Sequence, residues 1–550
     1  MRKIIYNGVI WPQKNKSLCE AIVIDDDRIA FVGSNEDAFQ YQTEESWMLD
    51  LNGAFAMPGF NDSHLHLYGS ALTKSQLMLF GVASHEELIE STKAYIQDRG
   101  IPNGKWVVGR GWNQDLFKEG PVFPTKHDLD RISSVHPIVL NRVCGHVMVA
   151  NSLALKKSGI ESTTKCPSGG TLDFETGTLT EHALGLVYKA IPDPSEDELE
   201  NLLVSGMEYA ASKGVTTLQT DDLNHLSQSG FERMLSIYER LEQEGKLKTR
   251  IRIQAQLPDE KTLKRFLDQN HHKKKRGTML KIGPVKLLTD GTLGAKTAAM
   301  RSPYADDPLT KGFMTYSPET LNHLVEMAHN ASMNVALHAI GDEAISRCLD
   351  AIENALIKKP NLDHRHAIVH CQITDEAILN RFKALGVTAI VQPIFIDYDM
   401  HIVESRVGAQ LASTSYAFGT MVQKGIRVAI GTDAPIEDLD PLPNVQAAVT
   451  RKDKSGYPPN GFHPEEKMSV EDALDRYTKT CAESTFDETI LGSLEEGKLA
   501  DFIVLDQNLL EIDPDQIKSA NVLVTFLGGQ IIHPVSSINR IFDKSKEISK

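Results

Sequence analysis

The sequence contains few cysteines and no long run of apolar residues. Its six cysteines are scattered along 550 residues, and no two have the C-x-x-C spacing that is typical of redox and metal motifs. Six cysteines are too few for a disulfide framework in a chain of this length, so we expect a reducing, cytoplasmic environment. No segment approaches the ~18 consecutive apolar residues of a membrane-spanning helix, so neither membrane insertion nor export is expected.

Positive charge is also scarce. The chain has 58 Lys and Arg residues against 74 Asp and Glu residues, which gives a formal net charge of −16. The short basic run from Lys273 to Arg276, which follows His271 and His272, is typical of a solvated loop. The acidic balance therefore argues against nucleic acid or an anionic membrane surface as a partner. We expect a small-molecule substrate.

The two ends of the chain have a similar β-rich character. Short alternating runs occur from Lys3 to Ile10 and from Arg28 to Val32, and again near the C-terminus from Leu499 to Leu505 and from Val522 to Leu527. These runs predict one composite β-sandwich domain built from residues 1–56 and 486–550.

The middle of the chain, residues 57–485, alternates short apolar strands with stretches of helical period. This pattern predicts βαβ units and a parallel sheet. The predicted strands are Ala56 to Asn61, Val215 to Gln219, Ile251 to Gln256, Val285 to Thr289, Val335 to His338, Ala367 to His370, Thr388 to Gln392 and Val428 to Gly431. Eight such units form a closed (β/α)8 TIM barrel, which needs roughly 250 residues of this α/β chain.

The first two predicted strands are separated by about 150 residues, far more than a strand-to-helix connection uses. We interpret residues 101–195 as an insertion subdomain near the barrel mouth. Trp112, His146 and Glu181 follow or adjoin turns in this segment and are candidate substrate contacts, although a purely structural role is an equally good interpretation of each.

Metal-type side chains stand where several predicted barrel strands end. The first strand runs into His64 and His66, whose alternate positions allow both imidazoles to reach one ion. Other strands end at His338 and His370, and Asp433 follows the eighth strand. Because strand ends meet at the same face of a barrel, these five residues predict a metal site there.

A second H-x-H pair in the sequence provides a comparison. His364 and His366 precede the strand that ends at His370, and four residues of strand place His366 roughly 13 Å from His370. We therefore interpret His364 and His366 as structural or surface residues.

Lys286 lies on the predicted fourth strand, where a buried amine is costly unless it is paired or neutralised. An ion pair with Asp290 or Asp433 would satisfy the amine. Alternatively, carbon dioxide has carbamylated it and made it an anionic bridge between two metal ions. Lys281 is a weaker candidate because it stands at the start of the strand.

The order of His64, His66, Lys286, His338, His370 and Asp433 resembles that of the amidohydrolase superfamily. The stretches Met57 to His66, Val285 to Gly291 and Leu337 to Asp342 are similar to the branch that includes N-substituted formamide deformylase. The stretch from Gly492 to Asp501 resembles the segment in which this superfamily returns to its β-sandwich. The resemblance covers nearly the whole chain.

The resemblance implies that His64 and His66 hold one divalent metal, that His338 and His370 hold a second, and that carbamylated Lys286 bridges them. A metal-bound hydroxide would attack an amide-type C–N bond in an N-substituted formamide, an N-acyl amine or a cyclic amide, with Asp433 as the catalytic acid and base as well as a metal ligand. Zinc suits the ligands, although manganese, iron, cobalt or nickel could replace it. Relatives of this kind are often dimers or larger assemblies, and we expect a homodimer here.

Two other functions remain open. A deaminase of the same superfamily uses one metal and releases ammonia from an amino-substituted ring, but such enzymes have a Glu three residues after the strand-5 His, where this chain has Gly341. The other is a metal-stabilised binding or scaffold protein without turnover, which would leave Asp433 without a role.

Overall fold

Eight parallel strands form the barrel that the sequence predicts. The structure is a computed structural model and describes residues 1–167, 169–226, 230–274 and 277–534. The barrel strands, numbered 1 to 8 in chain order, are Phe60–Leu65, Val215–Thr220, Arg250–Gln256, Leu280–Leu288, Val335–Ala339, Ala367–His370, Thr388–Val391 and Val428–Ile430. Each strand pairs in parallel with the next one along the chain, from strand 1 to strand 8.

Strand 1 differs from its prediction because Gly59 divides the predicted run Ala56 to Asn61 in two. Phe55–Pro58 is a strand of the β-sandwich and pairs with Phe502–Leu505, whereas the barrel strand begins at Phe60. A Cβ atom at Gly59 would lie 2.3 Å from the Thr216 side chain. The chain therefore passes from the sandwich into the barrel at a position where a side chain would clash with strand 2.

Helices cover the outside of the barrel. The helices that lie between or after its strands include Glu196–Ser212, Phe231–Gln243, Glu260–Asp268, Pro318–Asn330, Asp342–Lys358, Glu376–Leu385, Phe418–Gln423, Pro441–Thr450, Val470–Arg476 and Lys479–Ser484. The helix Asp342–Lys358 buries Ile345, Leu349 and Ile352 at helical spacing, which directs one apolar face toward the barrel. Among the described residues, no helix is both long and apolar enough to cross a membrane.

Segments from both ends of the chain form two sheets around one core. The four-stranded sheet contains Arg28–Gly33, Ala21–Asp25, Arg2–Tyr6 and Trp47–Asp50, and the five-stranded sheet contains Val9–Ile10, Phe55–Pro58, Phe502–Leu505, Val522–Leu527 and Gln530–His533. Ile5, Ile22, Val504 and Phe526 belong to the shared buried core. The predicted composite β-sandwich is therefore present, and residues 535–550 of its predicted range lie outside the described residues.

Residues Ala71–Leu199 form a separate compact unit, which includes the predicted segment 101–195. Its six-stranded sheet has the order Gly170–Asp173, Thr178–Glu181, Val147–Ala150, Ile138–Arg142, Val107–Trp112 and Leu77–Met78. Its helices include His85–Asp98, Lys126–Asp130, Ser152–Lys157 and Leu184–Tyr188. The unit begins before residue 101 because Leu77–Met78 joins the sheet and His85–Asp98 contributes Leu88 and Ile89 to the core.

The predicted basic loop from Lys273 to Arg276 is described only in part. Residues 273 and 274 are exposed, as a solvated loop requires, and residues 275 and 276 lie outside the described residues.

Buried ion pairs connect the amino-terminal ends of barrel strands 3 and 4 to the segment that returns to the sandwich. Arg252 Nε donates to Asp487 Oδ2 at 2.5 Å, and Lys281 contacts the other oxygen of the same carboxylate. Arg250 forms a two-pronged pair with Asp501 at 2.6 and 2.8 Å. The side chains of Arg252 and Asp487 are 1% and 0% exposed, so each charge depends on its partner for stabilisation.

We predict that Asp487→Ala destabilises the protein strongly, because it leaves the guanidinium of Arg252 buried without its carboxylate. The expected loss is about 3–5 kcal/mol in the free energy of unfolding, measured by urea denaturation. Glu326→Ala is the matched control, since its pair with Lys358 is at the surface and is worth about 1 kcal/mol or less. Equal losses in the two variants would contradict this account.

Candidate metal centre

The predicted ligands meet at the carboxyl ends of the barrel strands. His64 and His66 come from the end of strand 1, Lys286 from strand 4, His338 from strand 5, His370 from strand 6, and Asp433 from the turn after strand 8. All six are buried or half-buried. The closed barrel therefore collects, in one place, side chains that are far apart in the sequence.

His64, His66 and Asp433 form the tightest group. Asp433 Oδ1 lies 3.3 Å from His64 Nε2 and 3.1 Å from His66 Nε2. Ligand atoms about 2.0–2.1 Å from a tetrahedral zinc ion lie roughly 3.3–3.4 Å from one another. The separations between these two nitrogens and the carboxylate oxygen are thus close to those of a metal's ligand shell, and the three residues fit a divalent ion.

His338 and His370 lie beside this group. Their ring centroids are 4.6 Å apart, and the ring of His370 is 5.8 Å from that of His64. Burial lowers the pKa of His370 to about 3 and lowers the pKa of His64 well below its usual value. Both imidazoles are therefore neutral, which is the form that binds a metal.

Each of the four imidazoles has an oxygen next to its Nδ1 atom. The pairs are His64 with Gln254 at 2.8 Å, His370 with Gln392 at 2.8 Å, His338 with Asp290 at 3.1 Å, and His66 with Asp221. An acceptor at Nδ1 leaves Nε2 as the metal-binding nitrogen. His64 and His370 therefore have hydrogen-bond acceptors that suit coordination through Nε2, whereas the Nδ1 atoms of His66 and His338 lie near carboxylates without a hydrogen bond of regular geometry in the described part of the chain.

Asp221 was not predicted, although it directly follows strand 2. It is completely buried, and neither carboxylate oxygen has a hydrogen bond of regular geometry within the described part of the chain. Asp221, His66 and His225 each offer a ligand atom, and these atoms lie within 4.8 Å of one another. The rule that identified His338 and His370, a ligand-type residue at a strand end, would also have identified Asp221.

Gln254 and Gln392 were also missed. Polar residues alternate with apolar ones along strand 3, at Arg250, Arg252, Gln254 and Gln256, and this period of two indicates that they share one face of the strand. That alternation is the sequence signal for an inward-facing Gln254, but it does not identify the histidine that Gln254 contacts.

Lys286 is completely buried between a ligand and a carboxylate. Its Nζ lies 2.9 Å from His64 Nε2 and 3.5 Å from Asp221 Oδ2. The acid beside the amine is thus Asp221, rather than the Asp290 or Asp433 of the ion-pair hypothesis. Burial lowers the pKa of Lys286, while the Asp221 carboxylate opposes this effect.

Asp62 holds the turn that carries Asp433. Its carboxylate accepts hydrogen bonds from the backbone N–H of Thr432 at 3.0 Å and from the Thr432 hydroxyl at 2.6 Å. The N–H of Asp433 donates to the carbonyl of His64 at 2.8 Å. Asp433 has a positive φ of 57°, a strained conformation for a residue with a side chain, and these contacts stabilise it.

The charge state of Asp433 suits proton transfer. Burial alone would raise the pKa of Asp433, but the hydrogen bond with His66 and the positive charges of His66 and Lys286 hold it below its usual value. The carboxylate is therefore ionised at neutral pH and can accept a proton.

The comparison pair, His364 and His366, has a structural role. His364 Nε2 donates to the carbonyl of Leu385 at 2.9 Å, and His366 Nε2 lies 3.0 Å from His329 Nδ1. Both lie before strand 6 and are buried. Their interpretation as structural residues is confirmed.

Trp112, His146 and Glu181 all lie in the unit Ala71–Leu199. Trp112 is completely buried in the core of that unit, and its indole N–H donates to the Leu140 carbonyl at 3.0 Å. These contacts favour the structural interpretation of Trp112. His146 and Glu181 are exposed, and Nδ1 of His146 lies 3.0 Å from a carboxylate oxygen of Glu181. Their role as substrate contacts stays a prediction.

Comparison with known proteins connects these observations to a family. The Amidohydrolase family model matches residues 48–533. YtcJ of Bacillus subtilis is 34% identical over 546 residues, which cover 98% of this chain and 100% of YtcJ. N-substituted formamide deformylase of Arthrobacter pascens is 26% identical and matches 96% of this chain and 97% of its own length.

A solved structure has a similar fold. An uncharacterized metal-dependent hydrolase from Pyrococcus furiosus superimposes with a TM-score of 0.79 and 31% sequence identity, covering 93% of this chain and 100% of its own. The family match spans most of the sequence and includes every residue of the barrel mouth discussed above. The chain therefore belongs to the amidohydrolase family.

Proposed function

We propose that this protein is a metal-dependent hydrolase that cleaves an amide-type C–N bond in a small molecule. The observation that carries the proposal is the spacing of His64 Nε2, His66 Nε2 and Asp433 Oδ1, which matches the ligand shell of a divalent ion. N-substituted formamides, N-acyl amines and cyclic amides are the proposed substrate classes, and the likeness to N-substituted formamide deformylase supports the first of these.

The proposed centre holds two zinc ions. His64, His66 and Asp433 would hold the first, and His338 and His370 the second. When bound, zinc lowers the pKa of water from ~15.7 toward ~7 and polarises a carbonyl oxygen, so that a nucleophile and an activated carbonyl exist at neutral pH.

Asp433 transfers the proton in this proposal. Its ionised carboxylate takes a proton from the attacking water while the water oxygen bonds to the carbonyl carbon. It then gives that proton to the substrate nitrogen as the C–N bond breaks, and the products are a carboxylate and a free amine. The buried position of Asp433 beside the metal ligands supports this role.

Lys286 is proposed to bridge the two ions as a carbamate. The neutral amine adds to the carbon of carbon dioxide, an N–C bond forms, and one N–H proton leaves to solvent. The lowered pKa of Lys286 favours the neutral amine that this reaction needs. The carboxylate of Asp221 at 3.5 Å stabilises the ammonium form instead. Carbamylation of Lys286 therefore depends on the concentration of bicarbonate, and the protein is prepared with bicarbonate present.

We predict that Asp433→Asn strongly lowers turnover, because the amide cannot accept the proton of water. The expected loss in kcat is about 10²–10⁴-fold. It is measured by amine release from a panel of formanilide, an N-acetyl amine and a lactam. Asp268→Asn, at an exposed helix position, is the control and should retain wild-type activity. Wild-type turnover by Asp433→Asn would refute its role.

We predict that the metal content per chain falls in Lys286→Ala. Wild type prepared with bicarbonate should contain near two zinc ions by mass spectrometry, and the variant one or none, because the bridge is lost. Lys281→Ala is the matched control, since Lys281 is on the same strand but pairs with Asp487. One ion in every preparation would refute the bridge and favour a single-metal deaminase, which ammonia release would then test.

A further inference from the structure

Gln254 is a completely buried amide that the proposed chemistry does not use. It lies near the end of strand 3, which supplies none of the proposed metal ligands. Its Nε2 donates to the carbonyl of Ser63 at 2.9 Å, and its Oε1 lies 2.8 Å from His64 Nδ1. The amide therefore contacts the backbone before His64 and the ring of His64 at the same time.

These two contacts determine the position of the proton on His64. A backbone carbonyl can only accept a hydrogen bond, so the amide NH2 of Gln254 must face Ser63. The amide oxygen then faces Nδ1, and an oxygen acceptor requires that Nδ1 carry the proton. The lone pair of His64 is consequently on Nε2, which lies 3.3 Å from Asp433 Oδ1.

The alternative tautomer would prevent metal binding by His64. With the proton on Nε2, the ring would direct an N–H bond rather than a lone pair toward His66 and Asp433. It would also place the lone pair of Nδ1 against that of the Gln254 oxygen. The anchoring carbonyl of Ser63 prevents the amide from turning over to relieve this repulsion.

We infer that Gln254 is a positioning residue that locks His64 in the tautomer with a proton on Nδ1 and thereby raises the affinity of the centre for its first metal ion. The inference rests on the proposed metal binding but concerns a residue outside the ligand set. Gln392 makes the same contact with His370. Its Nε2, however, has no hydrogen bond in the described part of the chain, so its orientation lacks a comparable anchor.

The partner of His64 at Nδ1 is a neutral amide rather than a carboxylate. His66 and His338 face carboxylates at Nδ1, whereas His64 and His370 face neutral amides. Asp433 and Asp221 already bring negative charge into this buried region. A neutral amide fixes the proton of His64 without a further buried charge, which would be costly.

The test measures zinc affinity by competition with a chromophoric chelator, together with the visible absorption of the cobalt-loaded protein. Gln254→Met keeps the length of the side chain but removes the acceptor, and we expect a 10–100-fold weaker affinity and an altered cobalt spectrum. Gln254→Glu retains an oxygen acceptor in either protonation state and should bind zinc within a few-fold of wild type.

Gln219→Met is the matched control. Gln219 is also a buried barrel amide, but it donates to Asn61, Cys481 and Ser484, and it makes no hydrogen bond with a histidine among the described residues. This substitution should lower the melting temperature while leaving zinc affinity and the cobalt spectrum unchanged. If Gln254 had a purely structural role, Gln254→Met would also lower the melting temperature and leave zinc affinity and the cobalt spectrum unchanged.

The outcomes separate the inference from the proposed function. Wild-type zinc affinity in a folded Gln254→Met would overturn the inference, whereas failure of the wild-type chain to bind zinc would overturn the proposed function. If Gln254→Met does not fold, Gln254→Asn carries the test, because its shorter side chain withdraws the oxygen from Nδ1. Unchanged affinity in Gln254→Asn would then overturn the inference.

Discussion

The candidate centre depends on the closure of the barrel between strand 1 and strand 8. The N–H of Asp433 donates to the carbonyl of His64, and the N–H of His66 donates to the carbonyl of Ala434, each at 2.8 Å. A Cβ atom at Gly431 would lie 2.6 Å from the backbone nitrogen of His64, so glycine permits this close approach. Without this contact between the first and last strands, the carboxylate of Asp433 and the imidazoles of His64 and His66 would not lie together.

The barrel and the positions of most candidate ligands at its strand ends could be predicted because both depend on short-range patterns. Apolar runs bounded by turns identify the eight strands, and parallel strands end at one face, so His64, His338 and His370 follow from position alone. Gly59 shows the limit of this reasoning: an apolar run that continues through a glycine contains two strands in two different sheets. The close contact with Thr216 that explains the break is a tertiary one.

The partners of the ligands could not be predicted in the same way. Gln254 and His64 are 190 residues apart in the chain, and their contact depends on the register of strands 1 to 3 around the barrel. The register of the strands also determines which carboxylate lies beside Lys286. That carboxylate is Asp221 rather than Asp290 or Asp433. A sequence pattern gives the face of a strand, whereas the identity of a neighbour requires the closed structure.

The central claim is that His64, His66 and Asp433 hold a metal ion at the barrel mouth. The most direct measurement is a crystal structure of the zinc-loaded protein with anomalous data at the zinc edge. The account predicts an anomalous peak about 2.0–2.2 Å from His64 Nε2, His66 Nε2 and an oxygen of Asp433. A peak bound instead by Asp221 and His225, or no peak at the barrel mouth, would contradict it.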